Sequence, residues 1–172
     1  MTRGLLICRT IELLALSVWL GGLIVIIAAV IPAVFNSFGV EPGGRFLTSV
    51  FDGYNHLVVG AMVMLLGTIG FRIHARGELI ASAPGLLRAE LLLLGLMVIM
   101  AMLIIGLLGP KSVTLQELAF ATKGEAERRE AYSAFFRMHS IVRGLYLVNL
   151  GLGMALLVVK VKAWGEPRRE PA

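Results

Sequence analysis

LLLLGLMVIMAMLIIGLL, residues 91–108, decides the fold. It holds no charged residue, and its only turn-favouring residues are Gly95 and Gly106. As a helix it would extend about 27 Å at 1.5 Å per residue, close to the hydrocarbon thickness of a bilayer. A helix that is apolar on every side offers no face to water. In hydrocarbon it is the natural solution, because each backbone N–H and C=O finds its partner within the segment. The stretch therefore predicts a membrane-spanning helix 3 over residues 85–109. Ser82, Ala83 and Pro84 lead into it, and Gly109-Pro110 closes it.

Working outward, three further spans appear. On the N-terminal side, Leu13 to Phe35 is an apolar run preceded by Arg3 and Arg9, and it predicts helix 1 over 5–36. It is too long for the core of a signal peptide, and no small-residue cleavage site follows it. Pro32 predicts a kink near its end. Gly39-Val40-Glu41-Pro42-Gly43-Gly44 reads as a loop. Helix 2 follows over 45–73, with Asp52, Tyr54, Asn55 and His56 making one end polar. Arg72, His74, Arg76 and Glu78 mark a short polar connection to helix 3. After helix 3, residues 110–128 read as a loop in which Thr114-x-x-Glu117 fits a capping box, so a short extramembrane helix is expected there. Helix 4 is expected over 125–163, roughly 58 Å long, more than a bilayer needs. Its first part, Glu125 to Met138, is expected to protrude, and Lys160, Lys162 and Trp164 read as interface anchors.

The expected fold is thus all-α: an up-down four-helix transmembrane bundle with a short extramembrane helix between helices 3 and 4. Residues 1–164 form one membrane domain, and 165–172 a charged tail. Composition agrees. The 172 residues are 58% hydrophobic and only 16% charged, and the mean hydropathy is +0.86. The net charge of +5 comes from Lys and Arg flanking apolar runs. That points to a membrane surface and to no nucleic-acid partner. Assigning both termini to one side puts nine Lys and Arg there and six on the other, which predicts cytoplasmic termini. Cys8 is the single cysteine, so an intrachain disulfide and a cysteine zinc site are both excluded.

Spanning helices associate through close packing at small residues, since lipid removes the hydrophobic drive between them. Each helix has such a stripe: Ser17, Gly21 and Ala28; Gly60 and Gly67; Gly95, Met102 and Gly106; Gly144, Gly151 and Ala155. They can face the bundle or another chain, and the sequence leaves both open. No internal repeat is evident.

Charge at membrane depth requires a partner or a purpose. One group gathers at the expected outer face: Asn36, Asp52, Asn55, His56, Arg137, His139 and Arg143. His56 and His139 are candidate ligands for haem or copper, with Asp52, Asn55, Arg143 and Asn36 as supporting polar groups. The competing reading is a hydrogen-bonded polar cap near the headgroups, with Arg143 paired to Asp52 or to lipid phosphate. A second group lies at the inner face: Arg9, Glu12, Arg72, His74, Arg88 and Glu90. Snorkelling to the inner interface and pairing with arginine account for Glu12 and Glu90. A proton relay between the groups is disfavoured, because helix 3 has no polar residue between Glu90 and Gly109. The methionines, Met62, Met64, Met97, Met100, Met102, Met138 and Met154, suit Cu(I) chemically but are scattered in depth and read as packing. No Ser/His/Asp set, activated cysteine, phosphate-cradling glycine loop or His-Glu-x-x-His is present. The chain does not read as an enzyme.

Trp19-Leu20-Gly21-Gly22, Ile31-Pro32-Ala33-Val34-Phe35 and Phe51 resemble the opening of the bacterial domain-of-unknown-function family 4149, also described as transmembrane protein 205-like. Phe135-Phe136-Arg137-Met138-His139 and Asn149 resemble that family's last helix. The resemblance spans about 10–162. It implies a four-span domain of a bacterial inner membrane and no established reaction. Trp19-Leu20-Gly21-Gly22 with Pro32 is also similar to the copper-resistance D (copper-export) family, although helix 3 lacks ligands. The expected function is that of a non-enzymatic multi-pass protein, an accessory or structural subunit associating with lipid and with other membrane subunits or itself. The alternatives are a haem- or copper-binding protein and a small transporter. No cofactor is expected beyond those two candidates.

Overall fold

Helices end where the backbone has no other choice, and this chain offers few such places. Gly39 is one, at φ 74°, in the left-handed region that glycine adopts without a Cβ penalty. Thr122 to Gly124 is another. A computed structural model describes residues 3–75 and 84–165, and within them these are the only breaks in helix. Ser82, Ala83, Arg76, Glu78 and residues 166–172 lie outside the described residues, as does the side chain of Trp164.

The elements are α1 (Arg3–Val25), α2 (Ile31–Phe38), α3 (Val40–Ala75), α4 (Pro84–Leu103), α5 (Gly109–Ala121) and α6 (Glu125–Gly165). Two π-helical turns, Ile26–Val30 and Ile104–Leu108, join α1 to α2 and α4 to α5 without a loop. The protein is therefore all-α, with four helices long and apolar enough to cross a membrane.

The π turns correct two boundaries. Pro32 and Pro110 each follow a π turn directly. Proline cannot donate to the carbonyl four residues back, and its ring crowds that carbonyl. In each turn the residue before the proline bonds five residues back instead: Ile31 N–H to Ile26 O, and Gly109 N–H to Ile104 O. The wider turn makes room for the ring, so helix continues. Helix 3 thus runs on through Gly109-Pro110 into the expected short helix, which is α5 and has no loop before it. Thr114 does not cap it; its Oγ1 donates to Pro110 O one turn back. The expected loop at 39–44 likewise shrinks to Gly39, because Pro42 falls in the first turn of α3, where its missing N–H costs nothing.

The helices pair as two antiparallel hairpins. In the first, α1 and α2 pack on α3; in the second, α4 and α5 pack on α6. One end of the bundle holds Arg3, Ala75, Pro84 and Gly165 and is called the terminal end below. The core runs along the axis through Leu16, Trp19, Leu23, Val58, Leu65, Leu94, Met97 and Leu156. Tyr54 shows what Trp19-Leu20-Gly21-Gly22 is for. Its hydroxyl donates to Trp19 O at 2.8 Å, and its ring lies over Gly22, where a Cβ would stand 3.1 Å from it. At the far end, Gln116 Nε2 donates to Thr48 Oγ1 at 3.2 Å, and Arg45 pairs with Glu117. These contacts tie α5 of one hairpin to α3 of the other.

Candidate functional site

At the terminal end each long helix brings one charged side chain to a common point. Glu12 comes from α1, Arg72 from α3, Glu90 from α4 and Lys160 from α6. Lys160 Nζ donates to Glu12 Oε2 at 2.8 Å and to Glu90 Oε1 at 2.5 Å. Arg72 Nη2 donates to Glu90 Oε2 at 2.7 Å, and its Nη1 donates to Glu12 Oε2 at 3.2 Å. Glu12 Oε1 lies 3.1 Å from Arg72 Nη1 but outside hydrogen-bond alignment. Each carboxylate thus meets both cations, and each cation meets both carboxylates. The result is a closed ring of alternating sign with no net charge.

Burial makes this arrangement necessary. The side chains of Lys160 and Glu12 are 0% exposed, Glu90 is 7% exposed and Arg72 19%. Removing an ion from water costs several kcal/mol, which only well-aligned opposite charge offsets. Arginine suits the more open corner because its planar fork bridges two acceptors, while the compact ammonium of lysine fits the closed one. One turn from Arg72, Thr68 donates to Leu65 O in its own helix. Deeper in the bundle, Asn149 Nδ2 donates to Met97 O at 3.4 Å, while its buried Oδ1 has no hydrogen-bond partner among the described residues.

Glu12 and Glu90 pair with arginine as expected, both with Arg72, but neither snorkels to the interface: both are buried. It took Lys160 for an interface anchor, which the structure corrects: Lys160 is among the most buried side chains in the molecule, whereas Lys162 is exposed. Lys160 directly follows the uncharged run Gly144 to Val159, so its place in the sequence does not separate it from an anchor.

Heights along the bundle follow from the ring. Pro32, Asp52, Pro110 and Ser140 each lie twenty residues from the ring residue on their own helix, about 30 Å at 1.5 Å per residue. One hydrocarbon thickness therefore separates the ring from a level shared by all four helices, and α5 and the start of α6 extend beyond that level. His139 lies near it, while His56 sits about 6 Å closer to the ring. The two imidazoles do not share a height, and each is engaged within its own helix. His56 Nδ1 is 2.9 Å from Asp52 O, and the His139 ring lies 5.5 Å from that of Phe135. Asp52, Arg143 and Asn36 are exposed, and among the described residues no ion pair joins Arg143 to Asp52. Only Asn55 of the supporting set bonds between helices, accepting from Tyr146 at 3.0 Å. Among the described residues no three His, Cys, Asp or Glu side chains cluster.

The small-residue stripes divide. Gly60, Gly67, Gly144, Gly151 and Ala155 are exposed on outward faces, and a Cβ on any of these four glycines would meet nothing. Gly21 and Gly95 are half-buried and equally open. The glycines that do permit close packing lie outside those stripes: Gly22 under Tyr54, Gly43 against Phe35, Gly44 against Phe120, and Gly153, buried against Leu20 and Met97.

A family model described as a domain of unknown function, DUF4149, matches residues 14–121. The chain belongs to that family. The DUF4149 match covers α1 from Leu14 through α5, so Arg72 and Glu90 fall inside it, and Glu12 and Lys160 outside. The similarity noted for the last helix lies beyond the matched residues, and the match lends no support to a copper-resistance D likeness. No curated protein and no solved structure matches this DUF4149 chain.

Proposed function

We propose that the protein is a non-enzymatic accessory or structural subunit of a membrane assembly. The observation that carries this reading is the use made of the intramembrane charges: Glu12, Arg72, Glu90 and Lys160 pair with one another in a closed neutral ring. Such a ring joins all four long helices and fixes their positions. The exposed glycines on α3 and α6 add support, since close backbone approach at small residues is how spanning helices meet neighbours.

The reading separates assembly from folding. Gly60→Leu and Gly151→Leu place side chains in open space, so the isolated bundle is expected to keep its stability to within about 0.5 kcal/mol. Co-purification of neighbouring subunits in mild detergent, measured by native mass spectrometry, is expected to be lost. Wild-type protein that runs as a lone monomer, with nothing cross-linked to it in membranes, would rule the reading out.

The reading also places the terminal end in the cytoplasm of a bacterial inner membrane, following the excess of Lys and Arg there. A cysteine at exposed His74 is expected to resist an impermeant maleimide in intact cells, and one at exposed Lys123 to react. The reverse labelling pattern would invert the topology.

A further inference from the structure

Glu12 and Glu90 are 78 residues apart, and so are Pro32 and Pro110. The π turns Ile26–Val30 and Ile104–Leu108 are displaced by the same interval. Between these markers Leu13, Leu14, Leu16, Ile26 and Ile27 recur as Leu91, Leu92, Leu94, Ile104 and Ile105. Burial repeats in register: Leu16, Trp19, Leu23 and Ile26 are buried, and so are Leu94, Met97, Ala101 and Ile104. Two helices facing one core share a period, so matched burial alone is weak. A common period does not explain why a carboxylate, a π turn and a proline recur at one spacing.

The second helix of each hairpin extends the correspondence. Arg72 and Lys160 are 88 residues apart. At that interval Leu47, Tyr54, Leu65 and Thr68 fall on Phe135, Val142, Gly153 and Leu156, all of them buried. The hydrogen bonds share only their acceptor position: Tyr54 of α3 donates to Trp19 O and Asn149 of α6 to Met97 O, while the donors differ, since Tyr54 falls on Val142 and Asn149 on Ala61. Trp19 and Met97 occupy the same position in the repeat.

We propose that the molecule is an internal duplication of one helix hairpin, 3–75 and 84–165, and that the charge ring is the joint that holds the two copies together at the terminal end. Each copy contributes one carboxylate and one cation. Two ion pairs lie within a copy, Glu12 with Arg72 and Glu90 with Lys160; the other two cross between copies, Glu12 with Lys160 and Arg72 with Glu90. The far end has its own ties between copies, through Thr48–Gln116 and Arg45–Glu117. Loss of one ring charge therefore parts the copies at the terminal end alone. This inference shares the charge ring with the accessory-subunit reading, but its outcome turns on distances within the chain and not on whether partners co-purify.

The test places spin labels at repeat-equivalent exposed positions of the full chain in a Cys8→Ala background. His74→Cys with Lys162→Cys reports on the terminal end, and Ser49→Cys with Arg137→Cys on the far end. Glu12→Gln and Glu90→Gln are each expected to lengthen and broaden the terminal-end distance distribution, to similar extents, and to leave the far-end distribution as in the wild type. An unchanged terminal-end distance, or equal broadening at both ends, overturns the proposal. Should the Gln variants fail to fold, Arg72→Gln at the most open corner of the ring takes their place: it is expected to broaden the terminal-end distribution alone, and an unchanged terminal-end distance or equal broadening at both ends overturns the proposal.

Discussion

Lys160→Met is expected to destabilise the detergent-solubilised protein by about 3–5 kcal/mol, the range for removing one partner from a buried ion pair. The side chain being replaced is wholly buried and bonds to two carboxylates on two other helices. Methionine fills a similar volume, so the loss is electrostatic rather than a cavity effect. What remains is Glu12 and Glu90 sharing Arg72, one negative charge in excess, with the Glu12 side chain wholly buried. Adding Glu12→Gln to Lys160→Met removes that excess and leaves Arg72 paired with Glu90. The double variant is therefore expected to be more stable than the two single losses sum to, by 1 kcal/mol or more. Thermal unfolding of the four proteins of this cycle, followed by size-exclusion chromatography, measures the coupling. Additive losses would show that Lys160 and Glu12 do not interact as the geometry states.

The ring also shows where one sequence suffices and where it does not. The four spans were legible, because eighteen residues without a charge, such as 91–108, have no stable home in water. The all-helical fold followed from the same fact. The boundaries at Gly39 to Gly44 and at Gly109-Pro110 were misread because proline and glycine usually end helices. Here two π turns absorb the prolines, and a π turn leaves no mark of its own in composition. Glu12 and Glu90 were legible as charges out of place. Lys160 was not, since lysine two residues before Lys162 and four before Trp164 looks like the end of a span. Depth resolves it: the ring lies about 30 Å from Pro32 and from Ser140 alike, so Lys160 stands level with Glu12. The repeat escaped because leucine and isoleucine recur in any apolar helix, and its diagnostic residues are only a glutamate and a proline on each copy.

Gly153→Leu is the second large effect expected, and its cause is packing rather than charge. In the repeat Gly153 corresponds to Leu65, and both are buried. The difference matters to the seams between copies. Gly153 lets α6 lie directly on α1, while on the other side α3 and α4 stand further apart, and Leu65 packs in the core. A Cβ at Gly153 would overlap the side chain of Leu20 and stand 3.1 Å from Met97 Cε. A single methyl meets only movable side-chain ends, and alanine gains about 1 kcal/mol over glycine within a helix. Gly153→Ala is therefore expected to be close to neutral. Leucine adds three more carbons where α1 and α4 leave no space, and overpacking of this kind costs about 1–3 kcal/mol, sometimes more. Gly151→Leu, two residues away on the open face, is the control and is expected to be silent. Leu20→Ala combined with Gly153→Leu returns volume at the point of conflict and is expected to recover part of the loss. Thermal stability in the order wild type, Gly153→Ala and Gly151→Leu together above Gly153→Leu, with rescue by Leu20→Ala, would place the α1–α6 seam at this glycine. Equal losses for Gly151→Leu and Gly153→Leu would mean that leucine disturbs α6 itself, and that the close approach at Leu20 does not set how the two hairpins meet.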